Sequence, residues 1–225
     1  MPRLHLLRVF CAEDGTGGNP LAIFLDGGEV APPSRQGVAA DLGLSETVFV
    51  DDAKRGELRI FTPTVELAFA GHPTVGTAWL LANEGCGVPS LQVRAGELRV
   101  RYEDGAAFVA ARPGWGPVFE WEQLDSPERV EALSGPPGGH DHLGAWAWVD
   151  ERAGTLRARV FPVRYGIPED EATGAAAVIL CAQIGRPIDV RQGRGSRIRA
   201  RPLDDGYVEV GGRSVLDEVR EYALA

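Results

Sequence analysis

The chain has 225 residues, is 44% hydrophobic and carries a formal net charge of −9, which is length and apolar content for one large or two small domains with a proper core. The acidic balance argues against a nucleic-acid groove, which needs a basic footprint. Cys11, Cys86 and Cys181 are far apart and form no CxxC pair, so they point to neither a zinc knuckle nor a disulfide framework.

The opening MPRLHLLRVF lacks a signal peptide's apolar core and cleavage site, and no apolar run has the length of a bilayer span, so a cytoplasmic protein is expected. Leu4 to Phe10 and Leu21 to Leu25 read as strands joined by a polar, glycine-rich loop. That loop lacks the Gly-Lys-Ser/Thr ending of a phosphate-binding loop and leads into a strand, not a helix. Ser34 reads as the N-cap of a helix running to Leu42, where Gly43 stops it. Leu44 to Thr47 is a polar corner feeding a strand, and Leu58 to Phe61 is another strand.

Phe69-Ala70-Gly71-His72-Pro73 is a Gly-His corner opening a helix, with Pro73 suited to the first helical position and Gly85 to the left-handed stop. This helix is apolar or small nearly all round, so it belongs inside the protein. A buried helix start leaves several N–H groups aimed at one spot and attracts a carboxylate or phosphate. His72 stands at the edge of that spot. Leu91 to Arg94 and Glu97 to Glu103 form a hairpin about Gly96, and Phe108 to Arg112 adds a strand.

Pro113 to Pro117 reads as the boundary between an N-terminal lobe, 1–113, and a C-terminal lobe, 114–225, whose last strand is free to pack back on the first. Ser126-Pro127 opens a short helix to about Leu133, Ser134 to His142 is a loop, and Ala145 to Val149 and Leu156 to Phe161 are strands. Glu169-Asp170-Glu171-Ala172-Thr173-Gly174 then leads into a second all-apolar helix, stopped at Gly185. Tyr207 to Val210 and Arg213 to Leu216 read as two strands; from Asp217 to Leu224 helix and strand stay open. Many short strands with one buried helix per half predict an α+β protein of two similar lobes, each a barrel-like, mostly antiparallel sheet around a central helix.

Four segments in order carry a resemblance: Gly18-Asn19-Pro20-Leu21-Ala22, Ser45-Glu46-Thr47-Val48-Phe49, Phe61-Thr62-Pro63 with Ala70-Gly71-His72-Pro73-Thr74-Val75-Gly76, and Glu169 to Gly174. The set resembles the PhzF-type phenazine-biosynthesis-like family, with its diaminopimelate-epimerase-like fold. The resemblance implies an active site in the cleft between lobes, a homodimer and no cofactor. It also implies a small carboxylic-acid substrate; the family's best-known member moves a proton between carbons of a dihydro-hydroxyanthranilate. By the same resemblance, Glu46 carries the proton and His72 and Asp170 bracket the substrate. Asn19, Gly71, Thr74, Thr173, Gly174 and Ala175 would form its binding surface, with backbone N–H groups near Gly71 and Gly174 meeting its carboxylate.

The chemistry is coherent on its own terms. A carboxyl group in a poorly hydrated cleft has its pKa raised toward the working pH and can both take and return a proton. Two departures from the family pattern stand out: Glu171 replaces a proline, and Ala175 replaces a serine. Related racemases use paired cysteines, but Ala70 and the Ala172–Thr173 region occupy those places here, so a two-thiol mechanism is not expected.

Taken singly, Glu46 is an ordinary loop carboxylate, His72 a helix cap and Asp170 a helix-start charge; Asn19 is a turn former expected to shape the cleft floor. His140 and His142 lack a third ligand, so no metal site is expected. The arginines from Arg191 to Arg201 read as a solvated or dimer face, and Trp115, Trp121, Trp146 and Trp148 as lobe packing. The sequence thus predicts a cofactor-independent isomerase or epimerase acting on a small, possibly cyclic, carboxylic acid. A cleft that binds such a metabolite without chemistry is the alternative.

Overall fold

The computed structural model describes residues 1–224. β1 (Arg3–Cys11) and β2 (Asn19–Phe24) pair antiparallel, and α1 (Arg35–Leu42) carries the chain to β3 (Thr47–Asp52), parallel to β2. β4 (Glu57–Phe61) returns antiparallel to β3 and is flanked by the two-residue β5 (Glu66–Leu67). α2 (Gly71–Asn83) then crosses to β6 (Ser90–Val93), parallel to β4, before the antiparallel β7 (Gly96–Glu103) and β8 (Ala106–Ala111).

The second half repeats this order of pairings. β9 (Glu120–Gln123) and α3 (Pro127–Glu131) lead to β10 (Leu143–Asp150), parallel to β9, and β11 (Thr155–Phe161) is antiparallel to β10. α4 (Gly174–Ile184) crosses to β12 (Ile188–Gln192), parallel to β11, followed by the antiparallel β13 (Ser196–Pro202) and β14 (Val208–Glu221). Each central helix is thus the crossover that parallel pairing requires.

β14 joins the halves. Its first residues pair with β8 and β13, and from Arg213 to Glu221 it pairs with β1. The run β1-β2-β3-β4-β6-β7-β8-β14 therefore closes on itself as an eight-stranded barrel, which leaves no free edge in that ring. The second sheet, β14-β13-β12-β11-β10-β9, stays open at β9. α2 fills the barrel with Val75, Ala78, Leu80 and Leu81, and α4 packs with Val178, Leu180 and Cys181; both belong to one continuous core. The Cys181 thiol is inert packing, its pKa pushed up to about 12 by burial.

Four local expectations need correction. α2 starts at Gly71, so Pro73 is the third helical residue; it still falls in the first turn, where its missing N–H goes unused. Ser34 makes no side-chain cap, because it is already helical as the end of a 3₁₀ turn over Pro32–Ser34. β9 was not foreseen. The last segment is one strand rather than two strands and an undecided tail. Gly211 and Gly212 look like a break in the sequence but admit close neighbours: a Cβ on Gly211 would lie 2.2 Å from the Ala107 carbonyl oxygen. The arginine run forms the outer face of β12 and β13, where Arg197 pairs with Asp189 and Arg201 with Glu209. No helix among the described residues is long and apolar enough to cross a membrane.

Candidate active site

The starts of α2 and α4 meet head to head. A Cβ on Gly71 would fall 2.6 Å from the Ala175 amide nitrogen and 2.6 Å from the Gly174 Cα; one on Gly174 would fall 3.0 Å from the Gly71 Cα. Gly71 has no room for a side chain, and one on Gly174 would press against the Gly71 backbone and the Phe10 ring. In each helix the first backbone bonds are Thr74 N–H to Ala70 and Ala177 N–H to Thr173, so the preceding amides have no intrahelical acceptor. Two positive helix ends thus converge. Phe10 supports the α4 start from below. It sits at an irregularity where β1 slips against β14, with φ of 69°, and its ring would lie 3.0 Å from a Cβ on Gly174. A buried bulky residue at positive φ is held there by its surroundings.

A cavity of about 270 Å³ opens at this junction, walled by residues of both halves of the chain. Glu46, from the corner between α1 and β3, His72, from α2, and Asp170, from the strap before α4, all line it. Glu46 Oε2 stands 3.4 Å from His72 Nε2, with the side chains 15% and 4% exposed. The angles do not make this a hydrogen bond, and both atoms are buried without a partner.

The electrostatics follow from burial. Loss of water pushes the Glu46 carboxyl up to about 7, against a small opposing pull from the Ser45 hydroxyl. Burial pushes His72 down to about 4, despite the nearby Asp170 charge and the Pro20 carbonyl, which both favour the protonated ring. His72 Nε2 itself is buried without a partner. Burial and then the Glu46 charge push Asp170 up to about 6, while His72, Thr173 and Asn19 hold it down. Near neutral pH the cluster therefore holds a neutral His72 beside two carboxyls that both keep a proton more readily than in water.

Asp170 is the most firmly fixed of the three. Its carboxylate accepts from Asn19 Nδ2 at 2.8 Å and Thr173 Oγ1 at 2.6 Å, and its backbone N–H donates to Val160. Asn19 also donates to the Ala172 carbonyl and lies 3.5 Å from the Ser45 hydroxyl, so it ties the Glu46 corner to the Asp170 strap from behind the wall. Gly71, Thr173, Gly174 and Ala175 line the cavity, but Asn19 and Thr74 do not. Thr74 is fully buried, and its hydroxyl is used within its own helix start, 2.9 Å from the carbonyls of Ala70 and Gly71.

Glu171, the residue standing where a proline was expected, has its own partners. Its carboxylate accepts from the Arg194 backbone N–H at 2.7 Å and the Ser196 hydroxyl at 2.8 Å, and Ser196 in turn accepts from Gly18 N–H. The strap is thereby stapled to the β12–β13 turn and to the loop before β2. Gln192 adds bonds to the Asp170 carbonyl and the Thr173 hydroxyl.

Sequence reasoning missed much of the rest of the wall, including Ser45, Trp115, Phe119, His142 and Tyr165. Trp115 does pack the halves, edge-on to Phe69 and Tyr207, yet it also faces the cavity. No cluster of three metal-ligating side chains exists among the described residues, and His140 pairs with Glu120 instead.

A family model described as phenazine biosynthesis-like protein, PhzC-PhzF, matches residues 7–136. An uncharacterized isomerase of Mesorhizobium japonicum is 39% identical over 58% of this chain, a match that spans only 44% of that protein's length. The trans-2,3-dihydro-3-hydroxyanthranilate isomerase of Pseudomonas aeruginosa is 29% identical over 94% of this chain and 96% of its own. Among solved structures, a PhzF-family phenazine biosynthesis protein of Enterococcus faecalis superimposes with a TM-score of 0.81 at 22% identity, covering 99% of each chain.

Proposed function

Because the chain belongs to the phenazine biosynthesis-like family, we propose that it is a cofactor-independent isomerase that moves a proton on a small, possibly cyclic, carboxylic acid, with Glu46 as the acid and base. The observation that carries this reading is the Glu46 carboxyl: its Oε2 buried and unpartnered beside a neutral imidazole, with its pKa pushed to about 7. The relatives' names supply the reaction class and the acid.

In this reading the substrate carboxylate takes the free amides at the Gly71 and Gly174 helix ends. Ionised Glu46 removes a proton from a carbon of the bound acid. The negative charge that develops is stabilised by the same two helix ends. Protonated Glu46 then returns its proton to another carbon, or to the opposite face of the same one. A pKa near the working pH makes both transfers accessible, which general catalysis by one group requires. His72 Nε2, buried and unpartnered beside Glu46, shares a hydrogen bond with the Glu46 carboxyl or with substrate. Asp170, ionised and held by Asn19 and Thr173, fixes the opposite side. We take the working unit to be a homodimer, as the family resemblance implies.

The test is solvent exchange. Cyclic amino and hydroxy acids incubated with the protein in D₂O should gain deuterium at carbon, followed by NMR, and Glu46→Gln should abolish the gain while leaving the fold intact by circular dichroism. Exchange that survives in the variant rejects Glu46 as the base. One observation favours the second reading, a binder without chemistry. Ala175 brings no hydroxyl to the wall, and the neighbouring Thr173 hydroxyl is committed to Asp170. Saturable binding of an acid with no exchange in the wild type supports that reading.

A further inference from the structure

The cavity wall contains another polar residue that the proton chemistry leaves unused. Three residues of the wall carry a buried polar atom without a hydrogen-bond partner: Glu46 Oε2, His72 Nε2 and His142 Nε2. The first two form the reactive pair. His142 is separate from it, since the charges that act on its ring are those of Arg164 and Asp141, not those of Glu46, His72 or Asp170.

The ring of His142 is fixed on every side. It is 4% exposed, stacks on Phe119 at 3.9 Å between centroids, and meets Tyr165 edge-on at 5.3 Å. Nδ1 lies 2.6 Å from the Val118 carbonyl oxygen, which can only accept, so Nδ1 carries the proton. Burial lowers the pKa, so the ring is neutral in the physiological range. Nε2 is then an acceptor with nothing to accept. A buried acceptor left in that state carries a desolvation cost that a ligand donor removes. The neighbouring wall, Trp115 and Phe119, is flat and apolar and suits a ring.

Resting on the acid-isomerase reading above, we propose that His142 is a specificity-determining residue of this cavity, its Nε2 accepting a hydrogen bond from a hydroxyl or amino group carried on the ring of the bound acid. Sites built to meet a substrate donor discriminate against analogues that lack it, because the acceptor is then stranded.

The probes are benzoate, the three hydroxybenzoates and their methoxy counterparts, titrated calorimetrically into the intact protein. The wild type should bind at least one hydroxybenzoate roughly five- to tenfold more tightly than its methoxy analogue. His142→Phe keeps a ring to stack on Phe119 but has no acceptor. It should bring that ratio close to one and leave benzoate itself bound within about twofold, while His142→Gln, which retains an acceptor, should restore part of it. A measurement on the wild type needs no variant: the ¹⁵N resonance of His142 Nε2 should move with the hydroxybenzoate and not with the methoxy analogue. A ratio near one in the wild type, an unchanged ratio in folded His142→Phe, a still Nε2 resonance or no saturable binding by any probe each overturns the proposal. The matching hydroxybenzamide separates this from the reading it rests on. If the uncharged amide binds as tightly as the acid, the carboxylate assignment fails, while the hydroxyl-to-methoxy ratio still judges His142.

Discussion

The site is built around a carboxyl that would be better off in water. Folding raises the Glu46 pKa from 4.5 to about 7, so the folded chain holds that proton more tightly than the unfolded chain does. The stability this group contributes is complete below about pH 4.5 and is lost as pH rises through 7. Glu46→Gln, neutral throughout, should therefore gain on the wild type between pH 5 and pH 8, reaching on the order of 2–3 kcal/mol by urea denaturation. Relief of Asp170, whose pKa is raised in part by the Glu46 charge, adds in the same direction. A difference that stays flat with pH would mean that Glu46 is solvated. This cluster could be found in the sequence because Glu46, His72 and Asp170 each sit in a short motif, and the motifs occur in a recognisable order. His142 was hidden because it ends a Pro- and Gly-rich loop with no periodicity; its role depends on Phe119 and Val118, residues brought to it by tertiary packing. Asn19 and Thr74 stand apart from the cavity wall. Both belong to the right motifs, but one braces Asp170 from behind and the other bonds within its own helix.

Among the elements, the contact between α2 and α4 is the most exacting. Gly71→Ala would drive a methyl group into the backbone of Gly174 and Ala175, neither of which can rotate away. The expected result is a loss of about 1–3 kcal/mol, as for other overpacked positions, together with loss of ligand binding, since the amides no longer converge. Gly37, inside α1 with open space around it, is the control: Gly37→Ala should stabilise by about 0.5–1 kcal/mol through helix propensity alone. Urea midpoints for the two variants should move in opposite directions; equal effects would deny the close approach. Both central helices were legible because each is apolar on all sides and ends at a left-handed glycine, Gly85 or Gly185. β9 was not, because Glu120-Trp121-Glu122-Gln123 has no β-branched residue and owes its pairing to Leu143–Trp146 of β10. The Glu171 staple was equally out of reach, as its partners lie more than twenty residues along the chain, on a hairpin turn.

Across the molecule, the two halves share a strand. β14 pairs with β8 and β1 in the closed ring and with β13 in the open sheet, and a single core runs between α2 and α4. Neither half can lose structure without breaking ladder bonds that the other needs. Unfolding should therefore be one cooperative transition, with calorimetric and van't Hoff enthalpies equal; two separated transitions would show that each half stands alone. The sequence carried the α+β class and the repeated helix, because periodicity and breakers are local. It left open the return of the last strand to the N-terminal lobe but not its partner or register, because the pairing of Arg3–Cys11 with Arg213–Glu221 joins distant segments that no local pattern connects. That pairing also bears on how the protein is made. β14 leaves the ribosome after every other strand of the barrel, so during synthesis β1 and β8 wait as bare edges, able to pair with neighbouring nascent chains until translation reaches their common partner.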